Sequence, residues 1–153
     1  MTGRWVLLAA ALLAAAMVLG TSGAALADKD ARCAVGTLHG LYVFAATGFS
    51  IPASGPAQPK SVVEWIRFNG DGTLDVPGAT RSLNGVIGRT PPGGTGSYTV
   101  EDLVPADGGC AGSLTFTDGP SFDLFIPQKG EAIRMIQTNA NNVFQGMATR
   151  VSR

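Results

Sequence analysis

From residue 40 onward, apolar and polar residues alternate in short runs broken by Gly, Pro, Asn and Asp, and no window carries a helical period. Strands are predicted over 41–49, 61–68, 73–76, 96–101, 112–117, 121–126, 132–138 and 143–151. The strongest hairpin signal is Asn69-Gly70-Asp71-Gly72, because Asn and Gly accept the positive φ of a tight turn. Pro77-Gly78 interrupts the third strand, which is expected to resume over 81–87 around the turn or bulge signal Asn84-Gly85. Gly/Pro loops fall at 54–59 and 90–95, and a longer loop holds Pro105 and Gly108-Gly109. Short connections make consecutive strands antiparallel neighbours. The fold class expected is therefore all-β, a small antiparallel up-and-down barrel of about eight strands, which leaves no sheet edge open. A two-sheet β-sandwich is the alternative.

Spacing by two assigns the inner face. Ile66 and Phe68, Tyr98 and Val100, Leu114 and Phe116, and Phe122, Leu124 and Ile126 point one way, while Arg67, Thr99, Thr115 and Asp123 point to water. The runs 41–46 and 132–136 are largely apolar on both faces, so an outer cover is expected, from the segment around Cys33 or from a partner subunit. Alternation puts Trp65 on the outer face, under the same cover.

The N-terminus has a different grammar. Arg4 precedes an apolar run over 6–19, and Ala25-Leu26-Ala27 stands just before Asp28-Lys29-Asp30. Charge, apolar core and small residues in that order make a secretory signal peptide, cleaved after Ala27. The run is shorter than the roughly 20 residues a membrane-spanning helix needs. The chain thus divides into a signal peptide (1–27), an N-terminal segment (28–39) and one β-barrel domain (40–153), secreted or periplasmic.

Cleavage removes Arg4, the only charge in the leader, from a chain with 11 basic and 11 acidic residues. A near-neutral protein offers no electrostatic case for nucleic acid or for anionic membrane. Sparse charge with 21 Gly suits a β-rich exported protein. Cys33 and Cys110 are the only cysteines, and in an oxidising compartment an even pair reads first as a disulfide. Free thiols or a redox pair are the alternative, but no C-x-x-C occurs. A lipid anchor at Cys33 is disfavoured by the charged Asp30-Ala31-Arg32 before it.

Gly40-Leu41-Tyr42-Val43-Phe44 with Gly48-Phe49, Ile66-Arg67-Phe68-Asn69-Gly70-Asp71-Gly72, Gly96-Ser97-Tyr98-Thr99-Val100 and Cys110-Ala111-Gly112-Ser113-Leu114-Thr115-Phe116 form an ordered set of strand and turn words. With Ile133-Arg134-Met135-Ile136-Gln137-Thr138, the set resembles small exported bacterial proteins of unknown function, across most of the mature chain. That group is similar in architecture to the eight-stranded barrels of the allene oxide cyclase and lipocalin-like kind. The resemblance implies fold and export, and no activity.

Candidate chemistry is thin. His39 is the only histidine, no G-x-S-x-G accompanies it, and a turn residue explains it better than a catalytic triad. Asn69, Asp71 and Asp75 could offer oxygen to calcium, but the full calcium-loop spacing is absent and the hairpin accounts for them. Zinc has too few ligands, so neither metal nor cofactor is expected. Glu64 shares the inward face of Val62, Ile66 and Phe68, where a carboxylate is costly unless paired or wet. It either reaches solvent at the barrel rim or marks the mouth of a ligand cavity with a raised pKa. Arg134 and Gln137 are further mouth candidates whose facing alternation leaves open. Tyr42, Phe44, Phe49, Phe116, Phe122, Phe125 and Phe144 either fill the barrel or line an apolar pocket.

Two function classes follow. One is a secreted, non-catalytic β-barrel that binds a small apolar ligand or serves as an envelope or extracellular interaction module. The other is a cyclase-like enzyme whose cavity steers a reactive apolar substrate with help from Glu64. The first is favoured because no acid, base and nucleophile converge. Candidate ligand-binding residues are Glu64, Ile66, Phe68, Tyr98 and Phe116. The expected partner is a small apolar molecule, with no nucleic acid and no stable membrane insertion, and a homo-oligomer is left open.

Overall fold

The computed structural model describes residues 33–102, 109–127 and 129–153. The expected leader, the cleavage site expected after Ala27 and most of the loop around Pro105 lie outside the described residues. The described residues open with a 3-10 turn, Val35–Thr37, and continue as ten strands. These are β1 (His39–Ser50), β2 (Gln58–Asn69), β3 (Thr73–Leu83), β4 (Val86–Thr90), β5 (Gly94–Tyr98), β6 (Glu101–Asp102), β7 (Cys110–Phe116), β8 (Ser121–Ile126), β9 (Ala132–Gln137) and β10 (Asn142–Ser152).

Eight of them close a barrel, in the order β1, β2, β3, β5, β7, β8, β9, β10, with β10 returning to β1. All these pairings are antiparallel, so the up-and-down barrel holds and the sandwich does not. At the closing seam, Gly48 and Gly146 lie against the neighbouring backbone, where a Cβ would collide with the carbonyls of Val143 and Ala45. The predicted strand over 96–101 is split into β5 and β6, which both pair with β7.

The predicted strand over 81–87 is not one strand. Asn84 and Gly85 take positive φ (49° and 83°) and turn the chain, so β4 folds back on β3. Pro77 accounts for a second departure. Trp65 pairs with Gly78 while Arg67 pairs with Asp75, so Val76 and Pro77 together face the single residue Ile66. This is a β-bulge, and Pro without its N–H is tolerated at one. The bulge reverses the phase of alternation. Leu74 and Val76 are buried inside, and beyond the bulge it is Ala79 and Arg81 that line the lumen. Beyond it β3 also exchanges β5 for β4 as its second neighbour.

Elsewhere alternation holds. Ile66, Phe68, Tyr98, Leu114, Phe116, Phe122, Leu124 and Ile126 are buried and Val100 packs against them. Two of the seven aromatics proposed for the interior do not belong there, since Phe49 and Phe125 stand on the outer face and are half exposed. Each is an odd step from the inward residues of its own strand, Ala46 in β1 and Leu124 in β8.

One end of the barrel is filled. Tyr42, Phe68 and Tyr98 stack edge to face at 5.1 and 4.9 Å, and Leu38 is wholly buried over them. The Tyr98 hydroxyl accepts from the Gly70 amide and lies 2.9 Å from the carbonyls of both Val35 and Leu38. The Tyr42 hydroxyl donates to the Gly130 carbonyl and accepts from Arg150 Nε at 2.9 Å. Arg150 Nη2 reaches the carbonyls of Thr37 and Gly130 at 3.2 and 2.9 Å, so one guanidinium ties the N-terminal turn to β10. A Cys33–Cys110 disulfide fastens the same segment to the start of β7.

The outer cover expected over β1 and β9 does not come from the described part of the N-terminal segment, because that part caps the barrel end. Trp65 is on the outer face, as its parity predicts, and is 43% exposed.

With its cysteines 77 positions apart in sequence, the disulfide removes much chain entropy from the unfolded state. Cys110→Ser is expected to lower unfolding free energy by about 2–5 kcal/mol. Urea denaturation with the oxidised wild type as reference measures this; an unchanged midpoint would mean that the plug holds without the bond.

Candidate functional site

The opposite end is open. Between the ends of the strands there lies a cavity of about 360 Å³, whose floor is Phe44, Phe116, Phe122 and Val76. Phe122 meets Phe44 and Phe116 edge to face at 5.7 and 6.1 Å, which fixes the floor as a packed aromatic surface. Eight strands leave an interior that side chains can fill or that can hold one small ligand. Here large residues fill the plugged half and the space remains in the other.

Glu64 is in the wall of this cavity. On β2 the inward residues run Phe68, Ile66, Glu64, Val62 and Lys60 from the plugged end to the mouth. Glu64 pairs with Phe44 on one side and Ala79 on the other, one step above the fully buried Ile66. Among the described residues no hydrogen bond and no ion pair reaches its carboxyl. Burial alone pushes its pKa up to about 7. It is therefore set below the strand end and, among the described residues, unpaired, while its carboxyl still reaches solvent through the mouth; near neutral pH a large fraction of it is the uncharged acid, able to donate a proton or a hydrogen bond.

The mouth is built from β2, β3, β9 and β10 with the β7–β8 turn. Lys60 Nζ donates to Gln137 Oε1 at 3.0 Å across the opening and sits 4.3 Å from the centre of the Phe144 ring. Burial, then repulsion from Arg81, lowers the pKa of Lys60. Arg81, turned inward by the β3 bulge, pairs with Val62 between the levels of Lys60 and Glu64. Asp118, on the β7–β8 turn, lines the far side.

The structure thus separates the candidate residues. Glu64 and Phe116 line the cavity, while Ile66, Phe68 and Tyr98 are in the packed half beneath it. Gln137 faces the mouth and Arg134 the exterior. His39 begins β1 at the plugged end, away from Glu64. Asn69 and Asp71 serve the hairpin. Asn69 Nδ2 donates to Thr73 Oγ1 at 3.0 Å, and Asp71 Oδ1 accepts from the Thr73 hydroxyl and amide, which holds the Asp71 carboxyl below its usual range. Lys60 and Arg81 were not signalled by sequence. Lys60 falls just outside the predicted strand, and Arg81 follows the break in phase.

Searches of protein-family models, of curated proteins and of solved structures find no match to this chain. The likeness to small exported proteins therefore rests on strand and turn words alone, and what is shown is the closed eight-stranded antiparallel barrel.

The Glu64 environment has a pH signature. In the unfolded chain Glu64 ionises near its ordinary value of 4.5, whereas in the barrel it keeps its proton up to about pH 7. The folded state binds the extra proton between these values, so stability falls as pH rises through that window. The full cost, up to about 3 kcal/mol before screening at the mouth, applies above pH 7. Glu64→Gln should be more stable than wild type at pH 8 and nearly equal to it at pH 4. Urea midpoints across that range measure it; parallel curves would mean that Glu64 is ordinarily solvated.

Proposed function

We propose that this chain is an exported, non-catalytic barrel that holds a small apolar ligand in its open-end cavity, with Glu64 as the polar group that orients it. The observation that carries the reading is an unpaired carboxyl set in an aromatic-floored cavity of about 360 Å³, within the size range of small-molecule sites. A packed interaction module would have no reason to leave that volume open or to hold an acid there at a desolvation cost. Export is supported by the disulfide, and among the described residues no helix is long and apolar enough to cross a membrane, which says nothing of strands.

A second reading has one observation in its favour. A carboxyl with a pKa of about 7 suits general acid catalysis near neutrality, as a cyclase-like enzyme would need. The same cavity would then steer a reactive apolar substrate. Among the described residues that line the cavity, the other acid–base groups are Lys60, Arg81 and Asp118, all at the mouth and none hydrogen-bonded to Glu64, so binding without turnover is preferred.

The neutral fluorophore N-phenyl-1-naphthylamine tests the cavity. Its emission should rise saturably with wild-type protein, and Val62→Phe, which fills the cavity beside Glu64, should weaken binding by about tenfold or more while circular dichroism stays unchanged. Equal binding to both proteins would place the probe on the outer wall. Absence of binding would leave the interaction module as the better account.

A further inference from the structure

From the arrangement of the mouth, we infer that the ligand is an amphipathic organic monoanion, whose oxyanionic head is held between Lys60 and Arg81 while its apolar body reaches down to the Phe122 floor. This rests on the binding reading above and specifies its ligand. Two cations share one side of the opening, where the β3 bulge aims Arg81 at the same lumen as Lys60. Among the described residues neither forms an ion pair with a carboxylate. Asp118 lines the far side of the mouth but makes no such pair with either. Among the described residues the side-chain acceptor on the Lys60 ammonium is the neutral Gln137 amide, with the Phe144 ring beside it.

Two like charges turned to one opening repel each other and lose solvation, and the physical cure is an anion between them. Arg81 is exposed at the rim, where an anion can reach it. Its stem lies over Gly88 of β4, where even a Cβ would come within 2.8 Å of Arg81 Nε, so the guanidinium rests against bare backbone at the rim. Glu64 sets the charge pattern of the rest of the ligand. As the acid it tolerates an apolar body and can donate to an oxygen on it. A second negative charge at that depth would be repelled once Glu64 ionises. A head at the mouth and an apolar body below therefore fit, and a dianion does not.

The test uses two fluorophores that differ only in the anion, 1-anilinonaphthalene-8-sulfonate and its neutral parent N-phenyl-1-naphthylamine. Wild-type protein should prefer the sulfonate by about tenfold or more, the usual worth of a charge-assisted contact. The Lys60→Gln/Arg81→Gln double variant, altered only at the rim, should lose that preference and bind the neutral probe as wild type does. Raised salt should weaken the sulfonate alone. Binding of both probes with equal affinity, or a preference that survives the double variant, would overturn the anion assignment and leave the cavity reading intact. If Val62→Phe leaves both affinities unchanged, or neither probe binds, the cavity reading fails and this assignment falls with it.

Discussion

Everything at the open end depends on how the other end is sealed. An eight-stranded barrel has a narrow interior, and this one places its largest side chains at a single pole. Tyr42, Phe68 and Tyr98 interlock there, Leu38 covers them, and the two tyrosine hydroxyls satisfy backbone groups of the capping turn and hairpins. The Arg150 guanidinium and the buried disulfide hold the cap in place. With that pole filled by the described residues, the lumen is a cup open at the other end. A barrel filled evenly from end to end would have the same strands and no site.

The cup also explains why a carboxyl can persist on an inward position. At the plugged pole Glu64 would meet aromatic rings on every side and no water. At the rim it would be an ordinary solvated acid. Its level, beside Phe44 and Ala79, is intermediate, which raises its pKa without demanding a partner. Facing and height together, not facing alone, give the residue its chemistry.

Facing was legible in the sequence and height was not. Parity placed Ile66, Phe68, Leu114 and Phe122 inside and Trp65 outside, and Asn69-Gly70-Asp71-Gly72 marked the β2–β3 hairpin. Parity says nothing of where along the barrel axis a residue lies, so Tyr98 and Phe116 looked equivalent as lining residues, although one plugs the barrel and the other floors the cup. Arg81 was hidden for a different reason. Pro77 was visible as an interruption, but a single extra residue reverses every later side chain, and only pairing across to Trp65 and Arg67 shows that the reversal occurs. Lys60 and Gln137 meet across the lumen from strands far apart in sequence, a contact that no local pattern encodes.

The branch at β3 adds to the closed wall a strand that is held along one edge. Among the described residues β4 pairs with β3 alone and buries no side chain, yet its last residue, Thr90, borders the cup. Parting β4 from β3 would break only that ladder and leave all eight barrel strands joined to both neighbours. Local opening of this kind costs far less than unfolding. Swinging β4 outward would widen the rim without opening the barrel, so the width of the mouth depends on the stiffness of β4 as well as on the girth of the barrel.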